Sequence, residues 1–172
     1  MIYLLGVNHN IQWDLNNPQH KNFQKYLNKF IIDHFINVLA EEFHKDFLPE
    51  NQKTSVLKKI ANNKKIKHIY CDANEEERER LGIKTPRQIR TELNIPHSWS
   101  SDQGSYYNGL IDGELKKYFG KREKFWINKI KKYFNQNIIF ICGYKHKKTF
   151  SRRLKKYGWS VIVIRKRKFN SY

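Results

Sequence analysis

A chain of 172 residues is long enough to bury most of its unfolded surface in one domain without covalent staples. Its two cysteines, Cys71 and Cys142, both fall inside apolar strand-like runs, a usage that excludes a disulfide framework and fits a reduced, cytoplasmic setting. Lys and Arg number 34 against 16 Asp and Glu, a formal charge of +18; no apolar run is long enough to span a bilayer, and the N-terminus lacks the layout of a signal peptide.

In chain order, residues 2–7, IYLLGV, form a continuous apolar run stopped by Gly6 and the polar Asn-His-Asn, which predicts a short buried strand. The stretch from Asn17 predicts a helix, with Asn17 as cap, Pro18 at its first position and Phe23, Leu27, Phe30, Ile31 and Phe35 as the apolar stripe. His34 borders that stripe and reads as packing or solvent-facing, not as a ligand. Residues 37–43 predict a second strand with Glu41 and Glu42 at its C-terminal end. A helix through Val56, Leu57 and Ile60 follows, then a third strand over 66–71 that ends at Asp72. The acidic run 75–77 and Gly82 frame another helix, as the dipole and C-cap rules ask. Asp72 reads as the cap at its start, the commonest use of Asp there.

Residues 84–120 break this rhythm. Thr85-Pro86 can start a short helix to Leu93, but the polar and aromatic segment beyond it has no clear period and reads as an irregular pocket wall or lid, or equally as a packed excursion. From Lys121 the pattern returns: a helix through Trp126, Ile127, Ile130, Tyr133 and Phe134, then a strand, NIIFIC. Phe150, Leu154 and Tyr157 mark a further helix stopped by Gly158, and WSVIVI is the last strand. Residues 138–164 thus form a parallel β-α-β unit, and the basic tail 165–172 reads as solvated. The alternation predicts an α/β fold: a mostly parallel sheet flanked by helices, in a single compact domain spanning residues 1–172.

In such sheets ligands bind outside the carboxyl ends of the strands. This chain puts His9, Glu41, Glu42, Asp72 and His146 at that predicted edge. Two imidazoles and a carboxylate can hold a divalent metal with positions open for water, or work without one by proton transfer. Each histidine closes a Gly-x-x-His piece behind a strand, where glycine permits a close backbone approach. Strand alternation sends Glu41 and Glu42 to opposite faces, so only one of them should enter the pocket. Arg122 and Glu123 open the late helix; the helix dipole accounts for Glu123, whereas Arg122 fits an anion clamp or the partner of a site carboxylate. His20, His68 and His97 have no supporting constellation.

Gly6-Val7-Asn8-His9, Glu41-Glu42, Arg122-Glu123 and Gly143-Tyr144-Lys145-His146 form an ordered set over residues 2–164 that resembles the erythromycin esterase/ChaN/TraB-Tiki superfamily. The resemblance implies a compact α/β fold with both motif histidines and a strand-end glutamate in one pocket. The superfamily includes metal-dependent proteases, esterase-like hydrolases and a haem-binding lipoprotein, so it does not fix the reaction, and a hydrolase is the reading expected here. It matches His9 and His146 to the motif histidines, either glutamate to the strand-end acid and Arg122 to the late arginine. The cofactor expected is either a divalent metal of the manganese, cobalt or zinc kind on His9 and His146 or none at all, and the substrate stays open, an anionic one among the options. Tyr144 and Lys145 are bulkier than the residues usual in the second motif, and the chain is shorter and more basic than the pattern. The alternative is a non-catalytic nucleic-acid-binding protein that uses its Lys/Arg surface, although the sequence holds no RNA-recognition, zinc-knuckle, KH or Walker signature. A third possibility is a small-ligand or haem binder on the same fold.

Overall fold

A computed structural model describes residues 1–14, 17–48, 52, 54–96, 98 and 101–165. The tail read as solvated lies outside the described residues from 166 on. The strands are β1 (Ile2–Val7), β2 (Val38–Glu41), β3 (Lys67–Tyr70), β4 (Ile138–Gly143) and β5 (Val161–Ile164). They form one sheet in the order β3-β2-β4-β1-β5, with every pairing parallel. The helices are α1 (Asn10–Trp13), α2 (His20–Asp33), α3 (Val56–Lys64), α4 (Glu75–Arg80), α5 (Pro86–Glu92), α6 (Ser101–Lys117), α7 (Phe119–Ile130) and α8 (Lys147–Lys156). The α/β class and the parallel sheet flanked by helices are as the alternating pattern predicts.

Alternation along each strand sorts the side chains into two cores. Leu5, Leu39, Ile139 and Ile141 face α2 and α3, meeting Phe23, Leu27, Val56, Leu57 and Ile60. Leu4, Val38, Ala40, Phe140 and Cys142 face the other way, onto Trp126, Ile130, Phe150 and Leu154. Both surfaces of β1, β2 and β4 are therefore covered, which is why these strands read as unbroken apolar runs rather than alternating ones. The αL positions at Gly82 (φ 58°) and Gly158 (φ 83°) follow α4 and α8, the stops expected of them.

Contacts divide the chain into two units: residues 1–72 with 125–172, which hold the sheet, and residues 73–124. The second unit is helical. Its segment 101–117, read as irregular, is the helix α6, and α5 packs against it around Ile89, Ile95 and Ile111. Tyr107, Ile111 and Leu115 recur every four residues, a narrow apolar line diluted by Gly104, Gly109 and Gly113, and this is why no helical period stands out.

Helix starts differ from expectation in two places. Asn17 does not cap α2 directly; its Oδ1 accepts the Gln19 amide (2.9 Å), and α2 begins at His20. Asp72 does not cap α4, because Asn74 does so in a reciprocal capping box with Glu77. Among the described residues no helix is long and apolar enough to cross a membrane.

Candidate active site

Parallel register brings the strand ends to a common edge. Val7 pairs with Gly143 and Glu41 with Ile141, while the Glu42 amide bonds Ile141 O (2.8 Å), so His9, Glu42 and His146 follow three adjacent strands on one side of the sheet. After β1 the chain turns at once into α1, whose N-cap is His9; after β4 it makes a 3-10 turn, Tyr144–His146, that leads into α8. Each Gly-x-x-His piece is thus a strand end followed immediately by a helical turn.

Glycine is needed here for space. A Cβ on Gly143 would stand 2.6 Å from His9 Nε2 and 3.4 Å from Glu42 Oε2. The Gly143 φ of −57° suits any residue, so the close approach and not the backbone angle calls for glycine. Gly6 is similarly tight, with a Cβ there 3.0 Å from the Tyr144 Cα.

Glu42 organises the centre. The backbone N–H of Gly143 donates to its Oε2 at 2.7 Å, a charge-assisted bond to a buried carboxylate worth about 1.5–3 kcal/mol. Its Oε1 faces His146 Nε2 at 3.5 Å and His9 Nε2 at 3.7 Å, beyond good hydrogen-bond length. The His146 side chain is 4% exposed and that of His9 43%, so the cluster meets solvent through His9. An aromatic group backs His146: the Trp126 ring lies 4.8 Å from it edge to face, and Phe140 and Phe150 hold Trp126 at 5.6 and 5.2 Å. Trp126 Nε1–H donates to Asp72 Oδ1 (3.1 Å), and this indole bond is what occupies Asp72 in place of the predicted cap.

Glu41 does leave by the opposite face, as alternation requires, yet hydrogen bonds through Gln12 tie it to His9, the histidine that faces Glu42. Glu41 Oε1 accepts from Ser55 Oγ (2.5 Å) and His68 Nε2 (2.7 Å), and Oε2 accepts from Gln12 Nε2 (3.1 Å). Gln12 Oε1 in turn meets His9 Nδ1 at 2.9 Å. Ser55 also caps α3, accepting from the Lys58 amide, and its own amide donates to Tyr70 O–H (3.3 Å). The members Glu41, Ser55, Gln12 and His68 are all buried. Burial pushes the neighbouring Cys71 thiol well up from its ordinary range, with the Glu41 charge adding to the shift, so this cysteine stays protonated and is no nucleophile.

Of the residues singled out in the sequence, His9, Glu42 and His146 come together directly, and Glu41 joins them through Gln12. Arg122 and Glu123 do not open their helix: α7 starts at Phe119, with no acidic residue in its first turn, and Glu123 is fully buried. The dipole account of Glu123 therefore fails. Both residues belong to the second unit. His68, set aside for want of partners, is instead paired with Glu41, and Gln12 and Ser55 were not singled out. Gln12 had a signal in the sequence, since it follows His9 by one helical turn; His68 had none, because only the β2–β3 register sets it beside Leu39, on the face that Glu41 shares.

Among the described residues no group of three or more His, Cys, Asp or Glu side chains is assembled as a metal site. Two nitrogen–oxygen separations can be set against the geometry of a bound ion. Ligands about 2.0–2.1 Å from a tetrahedral ion stand roughly 3.3–3.4 Å apart, so the His146 separation is close to such an edge and that of His9 somewhat wider. No protein-family model, curated protein or solved structure matches the chain.

Proposed function

We propose that this protein is a hydrolase, cytoplasmic and resembling the erythromycin esterase/ChaN/TraB-Tiki superfamily, in which His9, Glu42 and His146 activate water. The observation that carries the reading is one carboxylate oxygen flanked by two imidazole nitrogens at the carboxyl edge of a parallel sheet. His9 is the member open to solvent, so its Nε2 takes the proton of the attacking water. Glu42 stabilises the imidazolium that forms, and Gly143 N–H keeps its other oxygen turned away. His146, buried against Trp126, holds a donor or an acceptor at the opposite side of Glu42 Oε1.

A divalent ion of the manganese, cobalt or zinc kind suits a donor set of two imidazoles and a carboxylate: His9, His146 and Glu42 would hold it, and the His9 Nε2 lone pair would then bind the ion instead of taking a proton. When bound, it would lower the pKa of water and polarise the scissile group. The experiment is elemental analysis after matched loading with each metal, together with hydrolysis of activated esters and phosphoesters. Both are run on the native chain and on His9→Ala and His146→Ala. Hydrolysis that falls by roughly 10²–10⁴-fold in both variants is the expected result; metal lost in parallel assigns the ion to these residues. Activity that survives both substitutions, or none in any sample, overturns the hydrolase reading.

A specific observation keeps nucleic-acid binding as the second reading. Helix α8 carries Lys147, Lys148, Arg152, Arg153, Lys155 and Lys156 and no acid. Lys147 and Lys148 stand in its first turn, where the helix dipole disfavours cations. Local stability does not explain that placement, whereas an anionic partner or substrate would.

A further inference from the structure

The bonded assembly behind His9 fixes where its protons sit. Hydrogen positions follow from which groups can only donate or only accept. Ser55 Oγ accepts the Lys58 amide and gives its own hydrogen to Glu41. Glu41, as a carboxylate, only accepts; the Gln12 atom facing it must then be the amide nitrogen, and the atom facing His9 the amide oxygen. An amide oxygen cannot donate, so the hydrogen between Gln12 and His9 belongs to His9 Nδ1. Neutral His9 is thereby left with a bare lone pair on Nε2, the nitrogen that faces Glu42 and the solvent. The 3.7 Å gap agrees with this, since two acceptors facing each other do not close to hydrogen-bond distance.

We infer that Gln12, oriented by Glu41 from the opposite face of the sheet, is a positioning residue that holds His9 in its Nδ1–H tautomer and keeps Nε2 free to act. The catalytic use of that lone pair rests on the hydrolase reading; the tautomer itself does not. A histidine side chain free in water favours the other tautomer, so the arrangement has to be imposed by the fold.

The chain of donors and acceptors makes an unusual demand. Glu41→Gln keeps the shape but turns the contact around: the oxygen of the new side-chain amide still accepts from Ser55 and His68, so its nitrogen faces Gln12. Gln12 must then flip, offering oxygen to position 41 and nitrogen to His9 Nδ1, and His9 moves its hydrogen to Nε2. Adding Gln12→Glu restores the original sense, because a carboxylate at 12 accepts both from the amide at 41 and from His9 Nδ1–H. The double variant also keeps the net charge of the pair.

The test is nitrogen-15 NMR of the histidine rings in the full chain, treated with chelator so that no ion fixes the tautomer, at a pH where His9 is neutral. The native protein is expected to show His9 Nδ1 protonated and Nε2 bare, Glu41→Gln the reverse, and the double variant the native pattern again. Hydrolysis should follow, down by about 10–100-fold in Glu41→Gln, as for other groups that orient a site histidine, and largely recovered in the double variant. A native spectrum with His9 protonated at Nε2 overturns the inference without any substitution, and so does a tautomer that ignores Glu41→Gln. Tautomers that switch as described in a protein without hydrolytic activity uphold the positioning role and sink the hydrolase reading alone.

Discussion

At the scale of single residues, Gly143 sets the dimensions of the site. A methyl group there would meet His9 Nε2 at 2.6 Å, closer than carbon tolerates, so the ring must move. Gly143→Ala should therefore leave folding nearly intact, because its backbone angles suit alanine and the amide still donates to Glu42. Hydrolysis should fall by roughly 100-fold, the scale of loss for a reacting group displaced by about an ångström. Melting curves and initial rates on the same sample separate the two effects; a variant that melts normally and keeps its rate would mean His9 is not the working base. This feature was half legible in the sequence. The two Gly-x-x-His pieces pointed to the two histidines that meet at Glu42, but the reason for glycine is a contact between residues far apart in the chain, which no local pattern encodes. The same limit hid His68, whose partner lies on the neighbouring strand.

At the scale of elements, Ser55 joins a helix cap to the buried carboxylate. Losing a cap alone costs about 1 kcal/mol, and removing a donor from a buried charged acceptor adds about 1–3 kcal/mol. Ser55→Ala should thus destabilise by clearly more than a cap is worth, measured by urea unfolding. A loss of only about 1 kcal/mol would show that Glu41 does not depend on the hydroxyl. The elements themselves were largely readable because β1, β2, β4, α2, α3 and α8 have strong apolar patterns, buried on one stripe or on both faces. What escaped was α6, with its glycines and a single line of apolar contacts, and α1, a four-residue turn too short to show a period. Asp72 was misread for a related reason: its partner is an indole 54 residues away, while the local rule favours capping.

At the scale of the whole molecule, the charge of +18 gives a long-range field that no individual contact reports. The exposed cations of α8 begin beside His146, the N-cap of that helix, so the field bears on whatever approaches the site. An anionic substrate should accordingly lose affinity as salt rises, whereas a neutral ester should not. Titration with single-stranded nucleic acid divides the two functional readings. Binding that falls steeply with salt and is unchanged by His9→Ala favours the binder; hydrolysis that survives salt on neutral substrates favours the enzyme.

Strand order also governs when these parts become available. The first strand of the sheet to be synthesised, β1, pairs only with β4 and β5, and β4 is also the strand that joins β1 to β2. Until residue 138 has left the ribosome, β1 has no neighbour on either edge, a wait of roughly 7–26 seconds at common elongation speeds of about 5–20 residues per second. Leu4 and Leu5 then sit on an open strand, the kind of edge that seeds association between chains. A translation product halted before β4 would carry that edge and lack His146 altogether, so premature termination yields a species prone to clump and without the His9–Glu42–His146 cluster.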